Sequence, residues 1–290
     1  MKRYLDPKND LVFKRVFGEH PEVLRAFLNE VLPLKADEKI QSLEYLSPEQ
    51  APEIPVLKHS IVDVRCKDQK GRQFIVEMQM EWTISFKQRV YFNTCKAYVR
   101  QLGRGEKYEL LQPVFGLSLV NDIFEKETPE FYHHYKTVNV KDIEKEIEGL
   151  QFVFIELPKF HYDDQKPGLG AWLRYLCETG EQERAPIELA DYGPEMKSAL
   201  DLAEEAAYST DDLIAYDRYW DAVSTEKTLI SGKLEEGFRR GRAQGREEGR
   251  QEGREEGLEK GLKMALQKMV DSGITEENAR TILGIRSVTQ

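Results

Sequence analysis

Three features of the sequence predict a mixed α/β fold: a β-hairpin over residues 60–81, a nearly continuous apolar run at 112–120, and flanking segments of helical period. The hairpin reads Ser60-Ile61-Val62-Asp63-Val64-Arg65-Cys66, then a turn, then Gln73-Phe74-Ile75-Val76-Glu77-Met78-Gln79-Met80. Strand side chains alternate, so Val62, Val64 and Cys66 are expected on one packed face with Phe74, Val76, Met78 and Met80. Gln69-Lys70-Gly71 forms a three-residue loop with glycine where φ > 0 is needed, which sets Asp68 opposite Arg72 and Asp63 opposite Glu77. Two carboxylates then face each other about 5 Å apart at Cβ, where like charges repel and a cation between them would relieve the strain. Ile61 and Ile75 fall on the same face as Asp63, Glu77 and Gln79, so partial cover is expected there. A partly buried carboxylate needs a partner or a metal. The competing reading is a solvated hairpin face on which Arg65 neutralises the acids.

The remaining elements follow in chain order. Asp6-Pro7 can start a helix through Leu11, Phe13, Val16 and Phe17 that ends at Gly18. A second helix runs from Pro21 with Val23, Leu24, Phe27, Leu28 and Val31 at helical spacing, and stops at Pro33. Residues 84–102 form the next helix, closed by Gly103 and Gly105. On it Arg89, Asn93, Lys96 and Arg100 share a face, while Phe92 and Val99 beside Cys95 are expected in the core. The basic face either holds a phosphate backbone or is simply solvated. Gln112–Val120 reads as a buried strand, Phe131–Val140 and Phe152–Leu157 as further strands, and from Gly168 the chain turns helical and acidic. His133, His134 and His161 have poor metal-ligand spacing and read as lone surface side chains, and Trp82 as packing at a strand end.

Composition excludes several classes. In 290 residues, 40% are apolar and 10% aromatic, enough for a sizeable core plus a smaller unit. No apolar run is long enough to span a membrane. Cys66, Cys95 and Cys177 are odd in number and widely spaced, and the start of the chain lacks a signal-peptide stretch, so a cytoplasmic location is expected. The net charge of −10 is uneven. Residues 1–120 carry 19 Lys and Arg against 16 Asp and Glu, so the hairpin half is mildly basic and the acidity lies in the remainder. A DNA partner is compatible with that half.

A series of short motifs follows in order along the chain: Pro7-Lys8-Asn9-Asp10, Phe13-Lys14-Arg15-Val16-Phe17-Gly18, Phe27-Leu28-Asn29, Asp63-Val64, Glu77-Met78-Gln79, Arg89 with Tyr91, Tyr98, Gln101-Leu102, Gly105, Tyr108, Leu111 to Val114, and Glu156-Leu157-Pro158-Lys159-Phe160. Together they resemble the recombination-promoting nuclease (Rpn) family, also described as PD-(D/E)XK nuclease family transposases. The resemblance covers most of residues 5–160. It implies a restriction-endonuclease-like core, a mixed sheet flanked by helices, and a metal-dependent DNA endonuclease of low sequence specificity tied to recombination or mobile elements. Asp63 and Glu77 take the metal-ligand positions for Mg²⁺, with Mn²⁺ or Ca²⁺ as alternatives. Gln79 stands where the wider superfamily has lysine, and can hydrogen-bond a water but brings no charge. Asp10 matches a polar position that supplements the site. Arg89, Lys96 and Tyr91 are the expected substrate contacts. The alternatives are a catalytically inactive oligomeric scaffold and an RNA-directed nuclease.

The domain reading is a nuclease core over 1–165, an acidic helical region over 166–232, a charged Gly-repeat tail over 233–268, and a short helical segment over 269–290. From Gly237 to Gly261 every fourth residue is glycine, with Arg242, Arg246, Arg250 and Arg254 in one column and Glu248, Glu252 and Glu256 in another. Seven helical glycines cost on the order of 5 to 7 kcal/mol relative to alanine, so such a helix should not stand alone. It is either a close-packed self-association helix, supercoiled right-handed because its repeat exceeds 3.6, or a solvated repeat. After it, a turn at Asp271-Ser272-Gly273 and Thr275 as N-cap begin a last helix.

Overall fold

Apolar residues at both parities of the central strands demand cover on both sheet faces, and the chain supplies it. The structure is a computed structural model that describes residues 3–50, 60–162, 167–180 and 187–285 of the 290. Residues 1–224 form one compact unit and residues 225–290 a second.

In the first unit, β1 (Leu43–Tyr45), β4 (Val64–Asp68), β5 (Gln73–Gln79), β6 (Val114–Val120), β7 (Tyr132–Asn139) and β8 (Asp142–Glu156) form a mixed sheet in the order β1-β4-β5-β6-β8-β7. β2 (Glu49–Gln50) and β3 (Ser60–Ile61) pair separately. The β5–β6 and β6–β8 pairs are parallel and the other pairs of the main sheet antiparallel. Parallel neighbours need a crossover, and α3 (Phe86–Val99) provides it between β5 and β6. Every residue of β6 is buried, as its nearly continuous apolar run requires. This is the mixed sheet flanked by helices that a restriction-endonuclease-like core has.

One face packs Val64, Cys66, Phe74, Val76, Phe115, Leu117, Leu119, Val153 and Ile155 against the helical layer. That layer comprises α1 (Asp10–Phe13) with a π-helical turn over Lys14–Gly18, α2 (Pro21–Val31), α4 (Pro167–Glu178) and α5 (Pro194–Ala203). Phe13, Phe17, Phe27, Trp172 and Tyr175 interlock there at ring-centroid distances of 4.8–6.4 Å. The acidic helical segment therefore shares the core of the sheet; the boundary expected at residue 165 falls outside the described residues. The first helix starts later than Asp6-Pro7 implies, because the Asn9 side chain caps it by accepting the Leu11 N–H at 3.0 Å.

The other face lies under α3. A Cβ at Gly116 would come within 2.7 Å of Thr94 Oγ1, so glycine is what lets the helix settle onto β6. Thr94 Oγ1 is itself satisfied, donating to Val90 O at 2.8 Å. The packed face of α3 is thus Phe86, Val90, Asn93, Thr94 and Ala97. Phe92 and Val99, expected in the core, are instead 44% and 67% exposed.

The helix α6 (Thr210–Asp271) begins in the first unit, and its part in the second carries the glycine column, with open space around each glycine from Gly237 to Gly261. None of its residues is buried. Ion pairs at i,i+4, such as Arg240–Glu236 and Lys260–Glu256, line its surface. Gly273 at φ +92° turns the chain into α7 (Glu276–Ile282), with Thr275 at the N-cap. Among the described residues no helix is long and apolar enough to cross a membrane.

Candidate functional site

The hairpin turn adopts the register its residues dictate. Gly71 takes φ +81°, Asp68 N–H donates to Arg72 O at 3.0 Å, and Val64 pairs with Val76. The next residue pair outward is Asp63 and Glu77. The ladder stops there, because the Asp63 carboxylate itself takes the strand's next donor, accepting the Met78 N–H at Oδ2 over 2.7 Å. The break between β3 and β4 turns Val62 over: it packs with Ile75, Ala97 and Val114 under α3 and not with Val64 and Cys66 as strict alternation implies. The side chain of Ile61, expected beside Ile75, lies outside the described ones.

Glu77 follows on the same strand as Met78, facing α3, with its side chain 8% exposed. Asn93 Nδ2 donates to its Oε1 at 3.1 Å, and Arg89 Nη2 stands 3.9 Å from its Oε2. Arg89 and Asn93 are one turn apart on α3, so a single helix face delivers both. Gln79, the next inward residue of β5, is held at both ends: Nε2 donates to Glu81 O at 2.7 Å, and Oε1 accepts from Arg89 Nη2 at 2.6 Å. Asp10 opens α1 and pairs with Lys14 at 2.9 Å; both charges act on Asp63. Lys96 sits 5.7 Å from the exposed Phe92 ring. Tyr91 points elsewhere, its ring stacked on Phe152 at 5.2 Å. Asp63, Glu77, Gln79, Arg89 and Asp10 are thus brought together, and Tyr91 is not among them.

The electrostatics separate this cluster from an ordinary solvated face. Burial, the Glu77 charge and the Asp10 charge together raise the Asp63 carboxyl to about 6, against the pull of the Met78 N–H and Lys14. Burial likewise raises Glu77, with the Asn93 hydrogen bond and Arg89 opposing it. Two adjacent carboxylates are therefore short of positive charge. Arg65, the competing neutraliser, bonds Gln73 Oε1 at 2.9 Å instead. Two buried polar atoms beside Glu77 also lack partners, Asn93 Oδ1 and the Oγ of Ser118, the residue paired with Glu77 on β6. An all-oxygen donor set with a charge deficit fits a hard divalent cation, which completes its shell with water. Among the described residues no group of three or more His, Cys, Asp and Glu that could hold a metal is found.

Asn93 was expected on one helix face with Arg89, at i,i+4 spacing, but not against Glu77. Ser118 escapes a reading of the sequence, since its place depends on a parallel register. His133 departs from the surface role expected of it. Its Nε2 lies 3.0 Å from Oε2 of fully buried Glu156, which also accepts from Lys159 Nζ at 2.5 Å and from the N–H groups of Phe124 and Glu125 at 2.5 and 3.0 Å. Trp82 is packing as expected, stacked on Phe124 at 4.1 Å.

A search of curated proteins and a search of solved structures return no match. A family model described as PD-(D/E)XK nuclease family transposase matches residues 7–232. That span takes in the sheet, the helices on both its faces and the carboxylate pair. By that match over most of its length, the chain belongs to the PD-(D/E)XK nuclease family transposases.

Proposed function

We propose that the protein is a metal-dependent DNA endonuclease of low sequence specificity that acts in recombination or at mobile elements. The observation that carries this reading is the Asp63–Glu77 pair, held by Met78 N–H and Asn93 and short of positive charge. Asp63 and Glu77 hold the cation, Mg²⁺ in the first instance and Mn²⁺ or Ca²⁺ in its place. The chemistry such a cation supplies is a lowered pKa for a bound water and neutralisation of charge on the phosphate oxygens. Asp10 tunes Asp63 from the neighbouring helix. Gln79, expected to position the water, has both ends of its amide held by Glu81 O and Arg89 Nη2, and Arg89 and Lys96 hold phosphates without reading sequence. Tyr91 contacts substrate only beyond the carboxylate cluster, from the outer side of α3. A water oxygen bonds to phosphorus as the bond to a sugar oxygen breaks. The water's proton leaves to solvent and the departing oxygen takes one up, so one water is consumed per bond.

The tail over 233–268 serves self-association. Its Arg column follows the glycines by one residue and its Glu column precedes them by one, so the two flank the glycine stripe on opposite sides. Two parallel copies related by a two-fold axis along the helix bring Arg opposite Glu; antiparallel copies bring like against like. The decisive experiment for the nuclease is incubation of supercoiled plasmid with the full chain and Mg²⁺, beside Asp63→Ala and an EDTA control. Nicking that both controls abolish is the expected result. No nicking with Mg²⁺ or Mn²⁺ moves the protein to an RNA substrate or to an inactive scaffold.

A further inference from the structure

We infer that Arg89, and not Gln79, supplies the fixed positive charge at the scissile phosphate, with Gln79 as the residue that positions it; this rests on the nuclease reading above. Phosphodiester hydrolysis builds negative charge on the non-bridging oxygens, and the largest catalytic gains come from donors already aimed at that charge. The strand residue facing the carboxylate pair is a neutral amide. Neither end of that amide is idle: its nitrogen is spent on Glu81 O and its oxygen on Arg89 Nη2 at 2.6 Å. The oxygen of Gln79 therefore faces a guanidinium. What Gln79 does in this arrangement is fix the direction of a cation.

Arg89 meets the requirements of that role. Its Nη2 is 3.9 Å from Glu77 Oε2, near enough to share the field of the carboxylate pair and too far for a hydrogen bond that would consume it. Its guanidinium lies 4.9 Å from the Phe86 ring, a second constraint on its plane. The side chain is 49% exposed, so it is reachable from outside while anchored at its inner edge. A guanidinium carries five N–H donors and keeps its charge at any working pH. It can clamp a phosphate through two N–H groups at once, but it cannot serve as a general acid or base. Its contribution is electrostatic and orientational. Because the guanidinium touches the end of Gln79, a lysine at position 79 would bring its ammonium to the same place from the strand side.

That equivalence gives the test. Wild type, Arg89→Gln, Gln79→Lys and the double variant Arg89→Gln/Gln79→Lys are compared in single-turnover cleavage of plasmid at saturating protein with Mg²⁺. DNA affinity is measured separately in EDTA, and folding by circular dichroism and thermal melting. Arg89→Gln is expected to slow the saturated rate by about 10²- to 10³-fold, with a much smaller change in affinity. The double variant is expected to recover at least about tenfold of that loss, the equivalent of 1.4 kcal/mol. A folded Arg89→Gln protein that binds DNA weakly but cleaves at the wild-type saturated rate would overturn the inference and leave Arg89 a phosphate anchor. So would a folded double variant no faster than Arg89→Gln while Gln79→Lys alone stays active. Wild type that cleaves nothing overturns the nuclease reading and this inference together, an outcome distinct from either of the others.

Discussion

Glu77 and Glu156 lie on the same face of the same sheet, toward the ends of β5 and β8, and both are buried. Their surroundings differ completely. Glu156 receives Lys159, His133 and two backbone N–H groups. Burial alone would raise its carboxyl, but those four donors outweigh it and hold the group below its ordinary value. Glu77 receives one amide and a guanidinium at 3.9 Å, and its carboxyl stays raised. The comparison separates a carboxylate that pins a loop from one whose charge is left largely uncompensated. Burial does not distinguish them, whereas missing compensation does.

The comparison breaks most visibly in a pair of amide substitutions. Glu77→Gln should abolish plasmid nicking, a loss on the order of 10³-fold or more from several kcal/mol of lost charge stabilisation, with little change in melting temperature. Glu156→Gln should do the reverse. It leaves the largely covered Lys159 ammonium without its counter-charge, costing on the order of 3 kcal/mol of stability in denaturant titration. Equal effects of the two on melting would show that the two carboxylates do the same job.

Asp63 sharpens the contrast through pH. Its folded value of about 6 lies above the unfolded one, so its contribution to stability is fully present below the unfolded value near 4 and is lost as pH rises through about 6. Asp63→Asn should therefore be more stable than wild type at pH 7, by about 3 kcal/mol, and the advantage should vanish below pH 4. The same proton competes with metal. Mn²⁺ binding by wild type, followed by titration calorimetry, should weaken as pH falls through about 6, approaching tenfold per pH unit for one proton displaced.

The smallest effect concerns the tail, where the sign decides. Gly249 has open space around it, so Gly249→Ala should stabilise the helix by roughly 1 kcal/mol if it stands alone. In the parallel pair proposed above, the same methyl should weaken self-association measured by light scattering.

Local chemistry made much of this legible. Gly71 set the hairpin register, Pro21 and Pro33 bracketed α2, and the nearly continuous apolar run marked β6. What escaped depended on groups distant in sequence. Val62 changed faces because a carboxylate captured the Met78 N–H, a side-chain choice that alternation ignores. Phe92 and Val99 were exposed because Gly116 and Thr94, more than twenty residues apart, decide which side of α3 meets the sheet. The His133–Glu156 contact joins two strands whose register no short segment encodes.

Gly116 has a mechanical consequence. The spacing between α3 and the sheet is set where a bare backbone meets the Thr94 hydroxyl, a contact that does not compress. Asn93 lies next to that contact and Arg89 a little over one turn before it, both on the same rigid rod. The amide that steadies Glu77 and the guanidinium that meets Gln79 can advance or retreat only in step. A fulcrum without a side chain, on a strand that contributes no charge, thus keeps the two in gauge.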